Sequence, residues 1–355
     1  MRSEAEARLA EIRALPPMKA KLMEVCGTHT MSIARAGIKS LLPEGVELLS
    51  GPGCPVCVTP AAVIDAALAL ADEPGVILAS YGDMLRVPGS RPGDSLQRRR
   101  ALGARVETVY SPVDALELAQ KNPDKEIVFL GVGFETTAPG TAAAVLTARE
   151  RGVTNFSVWS MLKTVEPALR ALLKQEDFAV RGFLCPGHVA TVIGAEAFRF
   201  LPEEYGLPAV VGGFEPEEIL RALYLLLRQL AEGRPALENA YPRAVRAEGN
   251  PLARRVMAAC FEPRRDLWRG LGAIEGGGLG WREEFSAWDA EKKFGVELPT
   301  ADAPTPCRCG DVICGRCRPA DCPMFGGRCT PEDPVGPCMV SSEGACAAAY
   351  KYQTV

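Results

Sequence analysis

Apolar runs rich in valine, isoleucine and leucine recur along the first two thirds of the chain, and helical patterns separate them. Runs of this kind are typical of strands buried on both faces of a parallel sheet. Seven of them predict strands: Leu22–Val25, Val46–Leu49, Val76–Ala79, Ile127–Gly131, Phe156–Met161, Phe183–Leu184 and Ala209–Val211. The pattern therefore predicts an α/β protein built on parallel sheets with helices on both faces.

Two of the intervening helices have clear starts. The helix Pro60–Ala71 follows Thr59, a favoured N-cap residue, and begins with a proline, which suits the first helical position. A second helix begins near Pro216, and its run over residues 219–230 is apolar on more than one face. We expect this helix to be packed between two layers.

The order of the patterns predicts three domains. Residues 1–150 form a first α/β domain, and residues 151–238 form a second. From about Tyr241 the strand pattern stops, a glycine-rich segment follows at residues 275–280, and prolines recur before Cys307. Residues 239–355 are therefore predicted to form a C-terminal domain rich in loops and helices.

Charge and composition exclude several kinds of partner. The 355 residues carry a net charge of −4, so no broad basic surface is available for nucleic acid or an anionic membrane. The amino terminus mixes acidic and basic residues and lacks the apolar core of a signal peptide. The most apolar stretch, residues 61–80, is interrupted by Asp65, Asp72 and Glu73, which are costly in a bilayer. We expect a cytoplasmic protein whose partners are proteins or small molecules.

Thirteen cysteines without an export signal indicate thiols and metal ligands rather than structural disulfides. Eight of them lie between Cys307 and Cys346, and this density marks a separate module. Closely paired cysteines would suit zinc, whereas gaps as wide as Cys322 to Cys329 favour a larger iron–sulfur cluster wrapped by loops. Eight thiols exceed the four that one such cluster needs, which leaves thiols for redox exchange beside it.

Unusual residues gather where predicted strands end, in residues 23–30, 50–57, 131–139, 184–189 and 212–216. Open α/β sheets bind ligands at the carboxyl ends of their strands, so five motifs placed alike predict one or two shared clefts. Glycine and proline are ordinary turn residues there. Turn chemistry does not explain the reactive side chains, which are Cys26, His29, Cys54, Cys57, Glu135 and His188.

Both histidines of the chain follow a cysteine by three residues. Cys26 and His29 could bind one metal ion, or His29 could orient and deprotonate the thiol. For the second pair we favour a role for His188 alone, because Cys185 could be a buried and inert thiol.

Two further candidates lie on the other strand ends. Cys54 and Cys57 form a C-x-x-C pair that suits a reversible disulfide or half of a metal site, and we prefer a dithiol that cycles. Glu135 could act as an acid or base or orient a ligand, although an acidic residue at a helix start is an alternative interpretation.

The motifs read CGTHT at residues 26–30, GPGCPVCVTP at 51–60, GFETTAP at 133–139, PGHV at 186–189 and CTPEDPVGPCMVSSEGACAAAY at 329–350. In this order they resemble the HypD family of hydrogenase maturation factors, over nearly the whole chain. The resemblance implies two α/β domains plus a cluster domain, in agreement with the strand pattern.

What the resemblance implies is a scaffold on which the Fe(CN)2CO group of NiFe hydrogenases is assembled, with redox activity in cyanide transfer. Family members work with the small chaperone HypC and receive cyanide equivalents from HypE. Cys26 would then hold a transient iron carrying CN and CO ligands together with a HypC cysteine, and His29 would support that site. Cys54 and Cys57 would form a dithiol relay.

In the C-terminal module, the resemblance implies a [4Fe-4S] cluster with a redox-active pair beside it, similar to ferredoxin–thioredoxin reductase. The implied cluster ligands are Cys307, Cys322, Cys329 and Cys346, and the pair is Cys309 and Cys338. Cys314 and Cys317 depart from the family pattern, and Ala190 replaces a serine that is common after PGHV.

Two other functions compete with a maturation scaffold. The first alternative is an iron–sulfur disulfide oxidoreductase resembling ferredoxin–thioredoxin reductase, which would have no use for Cys26 and His29. The second is a zinc-stapled α/β binding protein, which metal content would distinguish because zinc is colourless and an iron–sulfur protein is brown.

Overall fold

The computed structural model describes residues 4–352. Its strands are β1 (Ala20–Glu24), β2 (Val46–Ser50), β3 (Val76–Ser80), β4 (Val106–Thr108), β5 (Glu126–Gly133), β6 (Phe156–Leu162), β7 (Gly182–Pro186), β8 (Ala209–Gly212), β9 (Leu237–Asn239), β10 (Phe261–Trp268) and β11 (Gly272–Trp281).

The first ten α-helices are α1 (Glu4–Ala14), α2 (Gly27–Arg35), α3 (Ile38–Leu41), α4 (Pro55–Val58), α5 (Ala61–Ala71), α6 (Gly82–Leu85), α7 (Leu96–Ala101), α8 (Pro112–Lys121), α9 (Ala138–Glu150) and α10 (Val165–Leu173). They are followed by α11 (Gly187–Ile193), α12 (Phe200–Tyr205), α13 (Pro216–Glu232), α14 (Pro251–Cys260), α15 (Ala290–Phe294), α16 (Cys309–Ile313), α17 (Pro337–Val340) and α18 (Ala345–Tyr352). Short 3-10 helices occupy Ala195–Phe198, Glu283–Trp288 and Pro319–Asp321.

Two parallel sheets organise the molecule. The five-stranded sheet has the order β2-β1-β7-β8-β9, and the four-stranded sheet has the order β4-β3-β5-β6. All seven predicted strands are present, and β3 and β6 are buried at every position, as strands covered on both faces should be. The predicted α/β class with parallel sheets flanked by helices is confirmed.

The sheets share a central core. Leu22 of β1 and Ile77 of β3 each pack into a separate outer cluster. The next residues along the two strands, Met23 and Leu78, point the other way and both enter the central cluster. This core also contains the cysteines of α16 and α17, so it ties the C-terminal segment to both sheets.

Sheet membership does not follow the predicted division at residue 150. Strands β1 and β2 pair with β7, β8 and β9, whereas β3 to β5 pair with β6. Residues 1–150 and residues 151–238 therefore each contribute strands to both sheets. Parallel pairing through crossover connections permits this, because neighbouring strands need not be consecutive in the chain.

The expectation that strands stop near Tyr241 is wrong. An antiparallel hairpin of β10 and β11 follows, with Phe261 opposite Trp281 and Trp268 opposite Gly272. It contacts β6, where Ser160 donates a hydrogen bond to the carbonyl of Leu279 at 2.5 Å. The hairpin thus covers one edge of the four-stranded sheet.

The two predicted helices are present. Helix α5 begins at Ala61 with Pro60 at the N-cap, one residue later than expected. Helix α13 begins at Pro216 and packs between α1 and strand β8, which confirms its place between two layers. Among the helices of residues 4–352, none is long and apolar enough to cross a membrane.

Candidate functional site

Cys26 lies directly after β1, at the N-cap position of α2, and its side chain is buried. Burial raises the pKa of Cys26 to about 12, against a smaller lowering by the backbone N–H of His29. A buried thiol of this kind loses its proton when a metal cation binds it, because the cation supplies the charge that the thiolate needs.

The buried carboxylate of Glu24 holds the start of α2. Its Oε2 accepts the backbone N–H of Cys26 at 3.1 Å, and its Oε1 accepts the hydroxyl of Thr30 at 2.6 Å. Burial raises the pKa of Glu24 to about 7, despite the hydrogen bonds that lower it. Cys26 is therefore fixed from both sides of the β1–α2 turn.

His29 is fully buried one helical turn along α2. Its Nε2 donates to the carbonyl of Gly213 at 2.8 Å, since a carbonyl can only accept. Burial lowers the pKa of His29 to about 4, so the ring is neutral at pH 7. Its Nδ1 has no hydrogen-bond partner and keeps a free lone pair.

The two histidines share one aromatic partner. Phe214, after β8, stacks on His29 with ring centroids 4.6 Å apart and on His188 with centroids 3.9 Å apart. His188 Nδ1 lies 3.5 Å from the hydroxyl of Thr28, next to the start of α2. The strand ends after β1, β7 and β8 therefore meet, as the sequence predicts for one shared cleft.

Cys54 is the N-cap residue of the single helical turn α4, Cys57 lies within that turn, and the two are joined by a disulfide. The preceding Gly53 lies against Cys26, where a Cβ would come 2.2 Å from the Cys26 nitrogen. The carbonyl of Gly53 accepts the N–H of Gly27 at 2.9 Å. This contact brings the Cys54 turn and the Cys26 turn together. We call Cys26, His29, Cys54, Cys57 and His188 the strand-end site.

Residues 341–343, between α17 and α18, close over this site. Glu343 accepts the hydroxyl of Thr28 at 2.7 Å, and the hydroxyl of Ser341 lies 3.3 Å from the Cys54 sulfur. Asp83, after β3 of the other sheet, accepts the N–H of Ser342 at 3.0 Å. One short segment thus connects both sheets to the C-terminal cysteines on either side of it.

Six cysteines line one small apolar cavity, which we call the cysteine cavity: Cys307, Cys309, Cys322, Cys329, Cys338 and Cys346. The rest of the lining is apolar and includes Val312, Met324 and Phe325. A Cβ on Gly336 would come 2.2 Å from the Cys307 sulfur, so the absence of a side chain there preserves the space.

The cavity thiols interact in pairs. A hydrogen bond with Cys309 raises the pKa of Cys307. A hydrogen bond between Cys338 and Cys346 lowers the pKa of Cys338 and raises that of Cys346. Sulfurs of neighbouring chain segments are therefore already adjacent around the cavity.

Cys314 and Cys317 do not line the cavity. The thiol of Cys314 donates to the carbonyl of Gly270 at 3.4 Å, and burial raises its pKa to about 11. Cys317 lies in a different groove, beside Lys39 and Arg318. Cys314 and Cys317 are thus separated from the six cysteines that line the cavity.

Within residues 4–352, no three His, Cys, Asp or Glu side chains converge as the ligands of a single metal ion would. The six cavity thiols are instead spread over the lining of the cysteine cavity. Cysteines distributed in this way suit a cluster of several irons, in which each iron takes its own thiolate.

Comparison with known proteins identifies the family of the chain. The HypD family model, described as "Hydrogenase formation hypA family", matches residues 3–353. The chain belongs to the HypD family. It is 47% identical over 352 residues to the hydrogenase maturation factor HypD of Rhodobacter capsulatus, covering 98% of this chain and 93% of that protein. It is 45% identical over 335 residues to that of Escherichia coli K12, covering 94% and 89%.

Two strand-end residues of this HypD-family chain, Glu135 and Cys185, are not part of the strand-end site. Glu135, after β5, accepts the N–H of Val165 at 2.9 Å at the start of α10, and its second oxygen has no partner. Cys185 is fully buried and makes only a 3.9 Å contact with the carbonyl of Phe183, in line with an inert thiol.

Sequence reasoning missed four residues around the strand-end site, namely Asp83, Phe214, Ser341 and Glu343. Phe214 lies within a motif that was singled out, so an aromatic residue beside two strand-end histidines is a signal that could have found it. Ser341 and Glu343 also lie within a quoted motif, at residues 329–350, but they and Asp83 are ordinary polar residues whose roles arise from contacts distant in the chain.

Proposed function

We propose that this HypD-family protein is a hydrogenase maturation factor that holds an iron carrying CN and CO ligands at Cys26. A HypC-like chaperone supplies a second thiolate to that iron, and a HypE-like protein supplies the cyanide equivalents. The C-terminal cysteines serve the reductive part of this work through a thiol relay.

The observation that carries the proposal is the packing of α4. This turn holds Cys54 and Cys57, and it contacts both α16, which begins at Cys309, and α17, which contains Cys338. On its other side, Gly53 lies against Cys26. The helices that carry the cavity thiols therefore pack beside the turn of the Cys54–Cys57 pair, which supports stepwise exchange between the cysteine cavity and the strand-end site.

The cysteine cavity fits a [4Fe-4S] cluster, because its polar atoms are thiols, its other walls are apolar and Gly336 leaves room for sulfur. Cys307, Cys322, Cys329 and Cys346 would hold the cluster. When bound, it would supply single electrons. Cys309 and Cys338 are the two most buried cysteines of the cavity and lie on the helices next to α4, which suits them to exchange with that dithiol.

The surroundings of Cys26 suit a cargo site better than a purely redox site. A metal-bound thiolate can be held there without a neighbouring cation, since the iron carries the charge. His29 is neutral and offers a lone pair at Nδ1. An enzyme that only reduces disulfides would need neither residue, which is why this proposal ranks above the alternative of an iron–sulfur disulfide oxidoreductase.

The Cys26→Ala variant tests the proposal. We expect it to abolish iron-dependent complex formation with the HypC-like partner in an anaerobic pull-down, while the absorption of the C-terminal cluster persists. Cys185→Ala is the matched control, because Cys185 is also a buried cysteine near a strand end but makes no hydrogen bond to a residue of the strand-end site. Partner binding retained in Cys26→Ala, or loss of the cluster in that variant, would contradict separate cargo and cluster sites.

A further inference from the structure

We infer that Cys54, and not Cys57, carries the negative charge of the reduced dithiol, and that the hydroxyl of Ser341 stabilises this thiolate. The inference rests on the proposed function in one respect, namely that the pair is reduced during the working cycle. It assigns the reactive member of the pair and adds a residue outside the cysteine motifs to the site.

The two sulfurs have different surroundings. Cys54 Sγ accepts the backbone N–H of Cys57 at 3.2 Å and lies 3.3 Å from Oγ of Ser341. Apart from its disulfide bond to Cys54, Cys57 Sγ has no hydrogen-bond partner in the described part of the chain. Both residues are buried in the central core, Cys57 at 1% and Cys54 at 5% exposure, so the donors and not the burial distinguish the two sulfurs. Donors pointed at a sulfur stabilise its thiolate, whereas burial without donors stabilises the neutral thiol.

Ser341 is held so that its hydroxyl can serve the sulfur. The backbone N–H of Glu343 donates to Oγ of Ser341 at 3.2 Å, which occupies a lone pair and leaves the hydroxyl proton to be donated. Two acceptors lie within reach of that proton, the Cys54 sulfur at 3.3 Å and Oδ2 of Asp83 at 3.4 Å. The hydroxyl can therefore turn toward Asp83 when Cys54 is neutral and toward the sulfur when Cys54 is ionised.

Asp83 fixes the segment itself. Its Oδ2 accepts both the N–H and the hydroxyl of Ser342, at 3.0 and 3.1 Å. Ser342 binds the same carboxylate as Ser341 but makes no contact with the Cys54 sulfur. Ser342→Ala is therefore a matched control for Ser341→Ala.

The test uses the full chain with its cluster, reduced and kept anaerobic. Iodoacetamide alkylation is followed for each cysteine by peptide mass spectrometry between about pH 5 and pH 9, a range that brackets thiol ionisation. We expect Cys54 to react at least about tenfold faster than Cys57 at neutral pH. Ser341→Ala should move the Cys54 profile to higher pH and slow its neutral rate about tenfold, whereas Ser341→Thr and Ser342→Ala should keep the original profile.

Faster alkylation of Cys57 than of Cys54, or an unchanged Cys54 profile in Ser341→Ala, would overturn the inference. An equal shift in Ser342→Ala would also overturn it, because the effect would then come from the segment and not from the hydroxyl. Cluster absorption reports that each variant is folded. Failure of the proposed relay is a separate outcome: Cys54→Ala and Cys57→Ala would then leave hydrogenase maturation intact, whatever the alkylation profiles show.

Discussion

The strand-end site and the cysteine cavity are both built from cysteines but position them differently. In the strand-end site, two parallel strands deliver Cys26 and Cys54 on backbone turns, and each cysteine has its own hydrogen-bonding surroundings. In the cysteine cavity, six thiols on loops and short helices line one apolar hollow. A rigid strand end can present one thiol to a cargo that comes and goes. Under the proposed function, the hollow would gain order from the cluster that fills it.

Removing one thiol from the cysteine cavity should have the largest effect and should leave the strand-end site unchanged. Cys322→Ala should lose the brown colour entirely, because a cluster held by four cysteines does not survive loss of one ligand in a wall of this kind. Cys314→Ala should keep its colour, since that thiol faces Gly270 outside the cavity. The absorption spectrum and iron content of anaerobic preparations measure both. Bleaching in Cys314→Ala would show that the ligand assignment is wrong.

Glu135, a buried carboxylate, lies after strand β5 at the carboxyl end of the four-stranded sheet. Burial raises the pKa of Glu135 to about 7, above its ordinary value of 4.5, so the folded protein binds more protons than the unfolded chain between these values. Stability therefore falls as pH rises from about 4.5 to 7. Glu135→Gln should remove this contribution, up to roughly 3 kcal/mol of unfolding free energy, because the free oxygen of Glu135 makes no bond that an amide would break.

Urea unfolding of the cluster-loaded protein at pH 5 and pH 8 measures the Glu135 contribution as the difference between variant and wild type. If the Glu135→Gln and wild-type midpoints change in parallel with pH, the buried carboxylate is not the group that titrates.

The smallest expected effect comes from the junction between the Cys26 and Cys54 turns. Gly53→Ala places a Cβ against backbone 2.2 Å away and should destabilise the protein by about 1–3 kcal/mol without bleaching the cluster. Gly327→Ala, in the loop beside the cavity, meets nothing within 4 Å and should be neutral. Unfolding midpoints together with cluster absorption test this pair. Loss of colour in Gly53→Ala would mean that the two regions are not independent.

The strands could be predicted where apolar residues form continuous runs, and the hairpin shows where that signal fails. Strand β10 contains Glu262, Pro263, Arg264, Arg265 and Asp266, and β11 contains the glycines at 276–278. Neither has the alternating or continuous apolar pattern of a strand. Sheet membership was beyond reach for another reason, because a parallel crossover leaves no local mark of which strand it returns to.

The part of the candidate site made of reactive residue types could be predicted from the sequence. Cysteines and histidines at strand ends stand out, and Cys26, His29 and His188 do meet around Phe214 and Thr28. Asp83 lies outside every motif, and Ser341 lies in the motif at residues 329–350 but is not a reactive residue type; each gains its contact from a segment more than 200 residues away in the chain. Their part in the site follows only from the fold.

Anaerobic iron and sulfide analysis of the purified chain, with its absorption spectrum, tests the central claim most directly. The account predicts about four irons and four sulfides per chain, with broad visible absorption that a reductant bleaches. Stoichiometric zinc without sulfide would contradict both the cluster in the cysteine cavity and the thiol relay that leads from it to Cys26.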